Sequence, residues 1–235
     1  MPHSYDLINR LVTLGLDRRW RLEAARECLG LRPAKLLDLC CGTGDLALAV
    51  ARLSKRIADQ PAKRLARGDA ELTGVDYSQP MLEIAAHKAR RFTAGRRISF
   101  VHGDVAALPF PDEHFDCVGI SFGFRNLTYK NLYTRRYLAE ILRVLKTGGR
   151  FIIIESSQPE STLIRRVFHL YLRSYVYGVG YLISRDRRAY HYMVESMTRF
   201  YQPQELKLIL LGAGFRNVSF RRRLLGAVSL HAAVK

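Results

Sequence analysis

The stretch Lys35-Leu36-Leu37-Asp38-Leu39-Cys40-Cys41-Gly42-Thr43-Gly44 decides how this chain folds. It is a short apolar run ending in two closely spaced glycines, and Leu46, Val50 and Leu53 follow it at helical spacing. The pattern predicts a strand, a tight turn and a helix. Gly42 and Gly44 let the chain reverse sharply and let a ligand come close to the backbone. Dinucleotide-binding enzymes use the same device, but the full G-x-G-x-x-G is absent: Cys40 stands where a glycine would precede Gly42, and Ala47 where one would follow Gly42 and Gly44.

Outward from this turn the same grammar repeats. A basic, Ala-rich connection over 54–70 leads to a second strand, Glu71 to Asp76, and to a helix opened by Ser78 with Pro80 in its first turn. Further strands are expected at Ile98 to His102, Phe115 to Phe122, Phe151 to Ile154, Val218 to Phe220 and Ala227 to Val234. A helix across Leu132 to Leu145 should stop at Thr147-Gly148-Gly149, and another across Leu206 to Leu211 should end at Gly212 to Gly214. Strands alternating with helices predict the α/β class: a doubly wound, mostly parallel, seven-stranded sheet with helices on both faces. We expect one domain over 1–235, with an N-terminal helical lid over 1–30 and a helical substrate-side insertion over 160–200. Within that insertion Ile164, Val167, Phe168, Tyr171, Leu172 and Tyr175 share one face of a basic, aromatic, amphipathic helix.

Composition narrows the partners. The 235 residues carry a formal net charge of +17, about half of it after Glu160, which favours polyanions: nucleic acid or the anionic face of a membrane. No stretch approaches the roughly 18 apolar residues of a spanning helix, and Met1 to Arg10 lack the apolar core of a signal peptide, so a cytoplasmic protein is expected. Cys28, Cys40, Cys41 and Cys117 show neither zinc-site spacing nor a disulfide ladder and read as reduced core thiols. The scattered histidines give no metal site, so no metal is expected.

The first turn resembles the D/E-x-G-x-G-x-G signature of class I methyltransferases, with Asp38 as its acid and Cys40 in place of the first glycine. Asp76 ends the second strand, where doubly wound folds hold a carboxylate against ribose hydroxyls, and Gly103-Asp104-Val105 ends the third. Several further pieces follow in order: Tyr5-Asp6-x-x-Asn9, Arg19-Trp20, Leu108-Pro-Phe-Pro-Asp112, Ile120-Ser-Phe-Gly-Phe-Arg-Asn126, Arg143-Val-Leu-Lys146, Tyr190-x-Tyr-x-x-Glu-Ser196 and Ala213-Gly-Phe215. Together they resemble, over nearly the whole chain, the UbiE/MenG family of ubiquinone and menaquinone biosynthesis C-methyltransferases. The resemblance implies S-adenosylmethionine as co-substrate. It implies cofactor contacts at Thr43, Asp76, Asp104, Val105 and Ser121, beside the turn residues Asp38, Gly42 and Gly44. The chain departs from the family pattern at Tyr129, at Ser157-Gln158-Pro159 and in the longer basic connection over 54–70.

The resemblance also implies a polyprenylated quinol as substrate. A ring carbon attacks a sulfonium methyl only when the ring is electron-rich, so the site must stabilise a developing oxyanion and accept a proton. Arg125 is the expected oxyanion partner, since a guanidinium stays charged and presents a two-pronged donor. Tyr5 and Asp6 are expected to form the site as candidate proton acceptors, with His191 a weaker one. Demethylmenaquinol is the favoured substrate and 2-methoxy-6-polyprenyl-1,4-benzoquinol the alternative. Other readings are an RNA methyltransferase, against which the sequence lacks the Asn/Asp-Pro-Pro-Tyr box, and a non-catalytic cofactor-binding partner of quinone enzymes. The expected partners are the quinol and an anionic membrane surface at its inner face, with no nucleic acid; an oligomer is compatible with the sequence.

Overall fold

A computed structural model describes residues 5–30, 32–59, 70–92, 97–184 and 187–235, without the side chains of Tyr5 and Ser184. The N-terminal helices α1 (Tyr5–Val12) and α2 (Asp17–Leu29) precede β1 (Lys35–Leu39), α3 (Asp45–Ala58), β2 (Glu71–Asp76), α4 (Gln79–Arg90) and β3 (Ile98–His102). Then come β4 (Phe115–Ser121), α5 (Phe124–Thr128), α6 (Thr134–Val144) and β5 (Leu145–Ser156). Helices α7 (Thr162–Tyr171), α8 (Tyr177–Ser184), α9 (Arg187–Thr198) and α10 (Pro203–Gly212) lead to β6 (Arg216–Arg223) and β7 (Val228–Val234).

The seven strands form one sheet in the order β3-β2-β1-β4-β5-β7-β6, and β7 runs antiparallel to both its neighbours. The inner strands β2, β1, β4, β5 and β7 are buried on both faces, as their nearly continuous apolar runs require. Because side chains alternate across a strand, Leu37, Leu39, Val118, Ile120, Phe151 and Ile153 join one core with α6 and α10. Their neighbours Leu36, Cys117, Ile152 and Ile154 join a second core with Trp20, Ala24 and Ala25 of α2 and Leu46 and Val50 of α3. The order reverses at β1, which lies between β2 and β4, so the C-terminal ends of these strands open a crevice for a ligand.

Several expectations are corrected. Helix α3 continues through Ser54 to Ala58; the rest of the basic connection, 60–69, lies outside the described residues. Helix α6 ends at Val144 because β5 already begins at Leu145, and Gly148-Gly149 lie within that strand at a shift of its register with β4. The side chain of Ser78 does not cap α4; instead its backbone N–H donates to Asp76 Oδ1 at 2.8 Å. The amphipathic stripe after Ile164 is broken by a π-helical turn at Leu172–Val176. The wider turn rotates the facing by one residue, so Val176 is buried and Tyr175 is exposed. A small third core of Leu172, Val176 and Val194, with Val12 of α1 against it, ties the helices after β5 to the N-terminus.

The ring of Phe100 fills the gap left by two glycines and so locks β3 to the first turn. A Cβ on Gly74 would lie 2.8 Å from Phe100 Cδ1 and 3.0 Å from Cys41 Sγ, and one on Gly44 would lie 3.1 Å from the same ring. Gly74→Ala is therefore expected to cost about 1–3 kcal/mol by overpacking. Chemical denaturation checks this, and an unchanged midpoint would mean that the ring moves aside freely.

Candidate active site

The connection from β1 to α3 carries positive φ at Cys40, Gly42 and Gly44 (50°, 52° and 76°). Cys40 thus adopts the left-handed conformation that glycine takes at this place in the signature, at a modest steric cost. Two carboxylates hold the turn: Asp38 Oδ2 accepts from Ala47 N at 2.9 Å, and Asp76 Oδ2 accepts from Gly42 N at 2.8 Å. Around the turn lies a cavity of about 250 Å³, lined among others by Asp38, Gly42, Thr43, Asp45, Asp76 and Ser121. Its one cationic lining residue among those described is Arg21. Asp104 and Val105 stand outside that lining, at the end of β3. Asp104 accepts from Ala106 N at 2.8 Å in a local turn, and Gly103 N reaches Asp76 O at 3.1 Å, which keeps the two strand ends side by side.

A second cavity of about 350 Å³ adjoins the first and is mostly apolar. Leu16, Trp20, Val167, Phe168 and Tyr171 supply much of its wall, and Arg125, Glu155, Asp17 and Arg21 are its charged residues. Arg21 and Phe122 line both cavities, so these two side chains form the partition between them. Arg21 is 7% exposed; it donates to Asp17 in a short ion pair and through Nε to Ser121 Oγ at 3.2 Å, and lies 3.6 Å from Asp45 Oδ2.

Arg125 is 8% exposed and donates through Nη1 to Ser196, which brings together two distant motifs of the sequence. Its backbone N–H donates to the buried Glu155 at 3.0 Å, while its Nε has no hydrogen-bond partner among the described residues.

The expected proton acceptors are rearranged. Asp6 does not line the cavity of Arg125; it accepts from Thr43 Oγ1 at 2.7 Å and from Lys88 at 2.8 Å, which latches α1 onto the first turn. Burial works to raise its carboxyl, but the hydrogen bonds from Lys88 and Thr43 and the charges of Lys88 and Arg21 hold it below the ordinary carboxylate value. Asp6 is thus tied to the first turn and stands away from the cavity of Arg125. His191 is exposed on α9 and also lies off this cavity, and the side chain of Tyr5 lies outside the described residues. The sequence reading missed Asp17, Arg21, Asp45 and Glu155. The available signal was Asp17 and Arg21 four apart on one helix flanking Trp20, the spacing of a side-chain pair.

The donor set fits S-adenosylmethionine: carboxylates for an ammonium and for ribose hydroxyls, a single guanidinium for a carboxylate, and glycines where the ligand meets the backbone. Among the described residues no cluster of metal-ligating side chains is present. The fold and this crevice define a class I S-adenosylmethionine-dependent methyltransferase. The model of the ubiE/COQ5 methyltransferase family matches residues 1–235, and the chain belongs to that family. It is 38% identical to the demethylmenaquinone methyltransferase of Thermus thermophilus over 97% of this chain and 94% of that one. It is 34% identical to the ubiquinone/menaquinone biosynthesis C-methyltransferase UbiE of Pseudomonas paraeruginosa over 99% and 84%. The fold matches the crystal structure of a SAM-dependent methyltransferase from Aquifex aeolicus with a TM-score of 0.55 at 18% identity, covering 86% of this chain and 82% of that one.

Burial raises the Asp38 carboxyl from its ordinary 3.8 to about 7, against the Ala47 N–H and Arg21, with Asp45 and Asp76 adding to the rise. Between these values the folded chain keeps a proton that the unfolded chain has lost, so this group's contribution to stability falls as pH rises from about 4 to about 7. Asp38→Asn removes the dependence while keeping an oxygen acceptor for Ala47. The melting temperature of the variant should therefore gain on the parent across that window and hold a constant lead above it; a difference independent of pH would show that Asp38 ionises normally.

Proposed function

We propose that this protein methylates a ring carbon of a polyprenylated quinol, with demethylmenaquinol as substrate and menaquinol as product. The observation that carries the reading is Arg125, a nearly buried guanidinium side chain that lines an apolar cavity sharing a wall with the cofactor cavity. The co-substrate supplies a sulfonium methyl, and the remaining tasks fall to the chain. Arg21 takes the methionine carboxylate, Asp38 and Thr43 the rest of that end, Asp76 the ribose, Asp104 and Val105 the adenine, and Ser121 closes the mouth of β4. An ionised carboxylate has about four acceptor positions, so Asp76 keeps capacity for hydroxyls while holding Gly42 and Ser78.

Arg125 stabilises the quinol oxygen as it gains negative charge. Asp17 accepts its proton: it lines the same cavity and its partners, Arg21 and Thr13, are side chains that can reorganise, whereas Glu155 is tied to the backbone at Arg125 and Ser156. Tyr5 remains a member of the site through the family resemblance. We regard the chain as one catalytic unit in which 1–30 covers the cofactor and 160–200 forms the wall that receives the prenyl tail. The substrate is reached from an anionic membrane surface; among the described residues no helix is long and apolar enough to cross a membrane. The second reading, methylation of 2-methoxy-6-polyprenyl-1,4-benzoquinol, is favoured by the similarity to a relative named for both pathways.

Transfer from labelled S-adenosylmethionine to chemically reduced demethylmenaquinone, to the benzoquinol and to bulk RNA tests the reading. Label is expected in the naphthoquinol, and label in RNA alone would overturn the function. Arg125→Ala should lower turnover about a hundredfold or more, the range for losing an oxyanion donor, with cofactor affinity nearly intact; unchanged turnover would remove Arg125 from the chemistry. Asp17→Asn should be slow at neutral pH and recover as pH rises toward about 10, where a phenol ionises unaided. A variant equally slow at every pH would give Asp17 only the task of holding Arg21.

A further inference from the structure

A groove of about 680 Å³ runs between α2 and β6, with Arg19, Glu23, Arg26, Glu27, Arg221 and Arg223 along it. Two of these guanidiniums are already matched, Arg223 to Glu23 at 2.8 Å through Nε and Arg221 to Glu27 in a short ion pair. Arg19 and Arg26 are exposed, stand seven residues apart on α2, and have no ion-pair partner among the described residues. The groove therefore holds an excess of two positive charges, both free to meet an anion.

Its other side is apolar. Leu16, Trp20 and Leu224 line this groove and also the cavity of Arg125, so the two open side by side. Around the shared mouth Leu14, Val167 and Leu225 line the apolar cavity and are still 70%, 61% and 73% exposed. Leucines left in water beside unpaired arginines call for a ligand that is anionic at one end and apolar at the other. A nucleic acid would satisfy the cations and leave the leucines wet.

We propose that the groove between α2 and β6 is a headgroup site for an anionic phospholipid of a bilayer. The phosphate lies between Arg19 and Arg26, the acyl chains run against Leu14 and Leu225, and the mouth of the apolar cavity is thereby seated on the lipid surface. The proposal deepens the quinol reading and rests on it, because the seated mouth is where a prenyl tail would pass from bilayer to site.

The test is co-sedimentation of the full chain with vesicles of phosphatidylcholine alone or mixed equally with phosphatidylglycerol, comparing the parent with R19A/R26A. Both replaced residues are exposed and outside the catalytic machinery, so methyl transfer to a short-chain, water-soluble quinol should be unchanged. The parent should partition onto the mixed vesicles far better than onto the neutral ones, and R19A/R26A should lose about tenfold or more of that partition. Equal partition onto both vesicles, or no loss in R19A/R26A, would overturn the proposal. So would RNA binding abolished by R19A/R26A in a chain that ignores vesicles. If no quinol accepts a methyl group but R19A/R26A still releases the chain from mixed vesicles, the headgroup site stands and the quinol reading falls.

Discussion

Asp38 accepts a hydrogen bond from the backbone N–H of Ala47 in the first turn of α3, Asp76 accepts one from Gly42 in the loop before it, and between them they hold a turn that passes three times through left-handed backbone. The turn leaves β1, an inner strand of the sheet, at the point where strand order reverses. Moving it would open the cofactor crevice and also break the hydrogen bond by which Cys41 N holds the Val75 carbonyl of β2, at 2.9 Å. The cost is a carboxylate in the core at Asp38, and the folded chain bears that cost because the same group faces the cavity it helps to shape.

The partition between the two cavities follows from this placement. Arg21 and Phe122 are held where the cofactor end of the sheet meets the apolar chamber, with the guanidinium carbon 5.6 Å from the phenyl centroid. Polar groups crowd one side of that wall, and leucines, methionines and Tyr171 the other. Methyl transfer to carbon needs this separation: charge must be fixed where the sulfonium binds, and water must be kept from the oxygen whose charge activates the ring.

The fold was legible in the sequence because its evidence is local. The apolar run at Lys35 to Leu39, the glycines after it and the acids at the ends of β1 and β2 each act within a few residues of their position. Asp38, Gly42, Thr43, Asp76 and Ser121, singled out from their motifs, line one cavity, and Asp104 and Val105 lie outside that lining. What escaped depends on distant partners. Asp17, Arg21 and Glu155 belong to no motif of their own and come together only as α2 packs across β4 and β5. Asp6 stood in a motif suited to catalysis, yet Lys88 on α4, 82 residues away, claims its carboxylate. The length of β5 was hidden by Gly148-Gly149, which look like a stop and act as an irregularity inside a strand. The π-helical turn has no periodic signature at all, since its effect is to shift the period.

The sheet ends at β6, an edge strand carrying Arg221, Arg222 and Arg223 in succession. An open edge presents unpaired backbone groups to any other extended chain, and a second copy pairing there in antiparallel fashion would bring guanidinium groups against guanidinium groups. The arginines that dress this strand are held by Glu27, Glu160 and Glu23, so a copy of the chain approaching this edge would have to displace three ion pairs before its backbone could pair there.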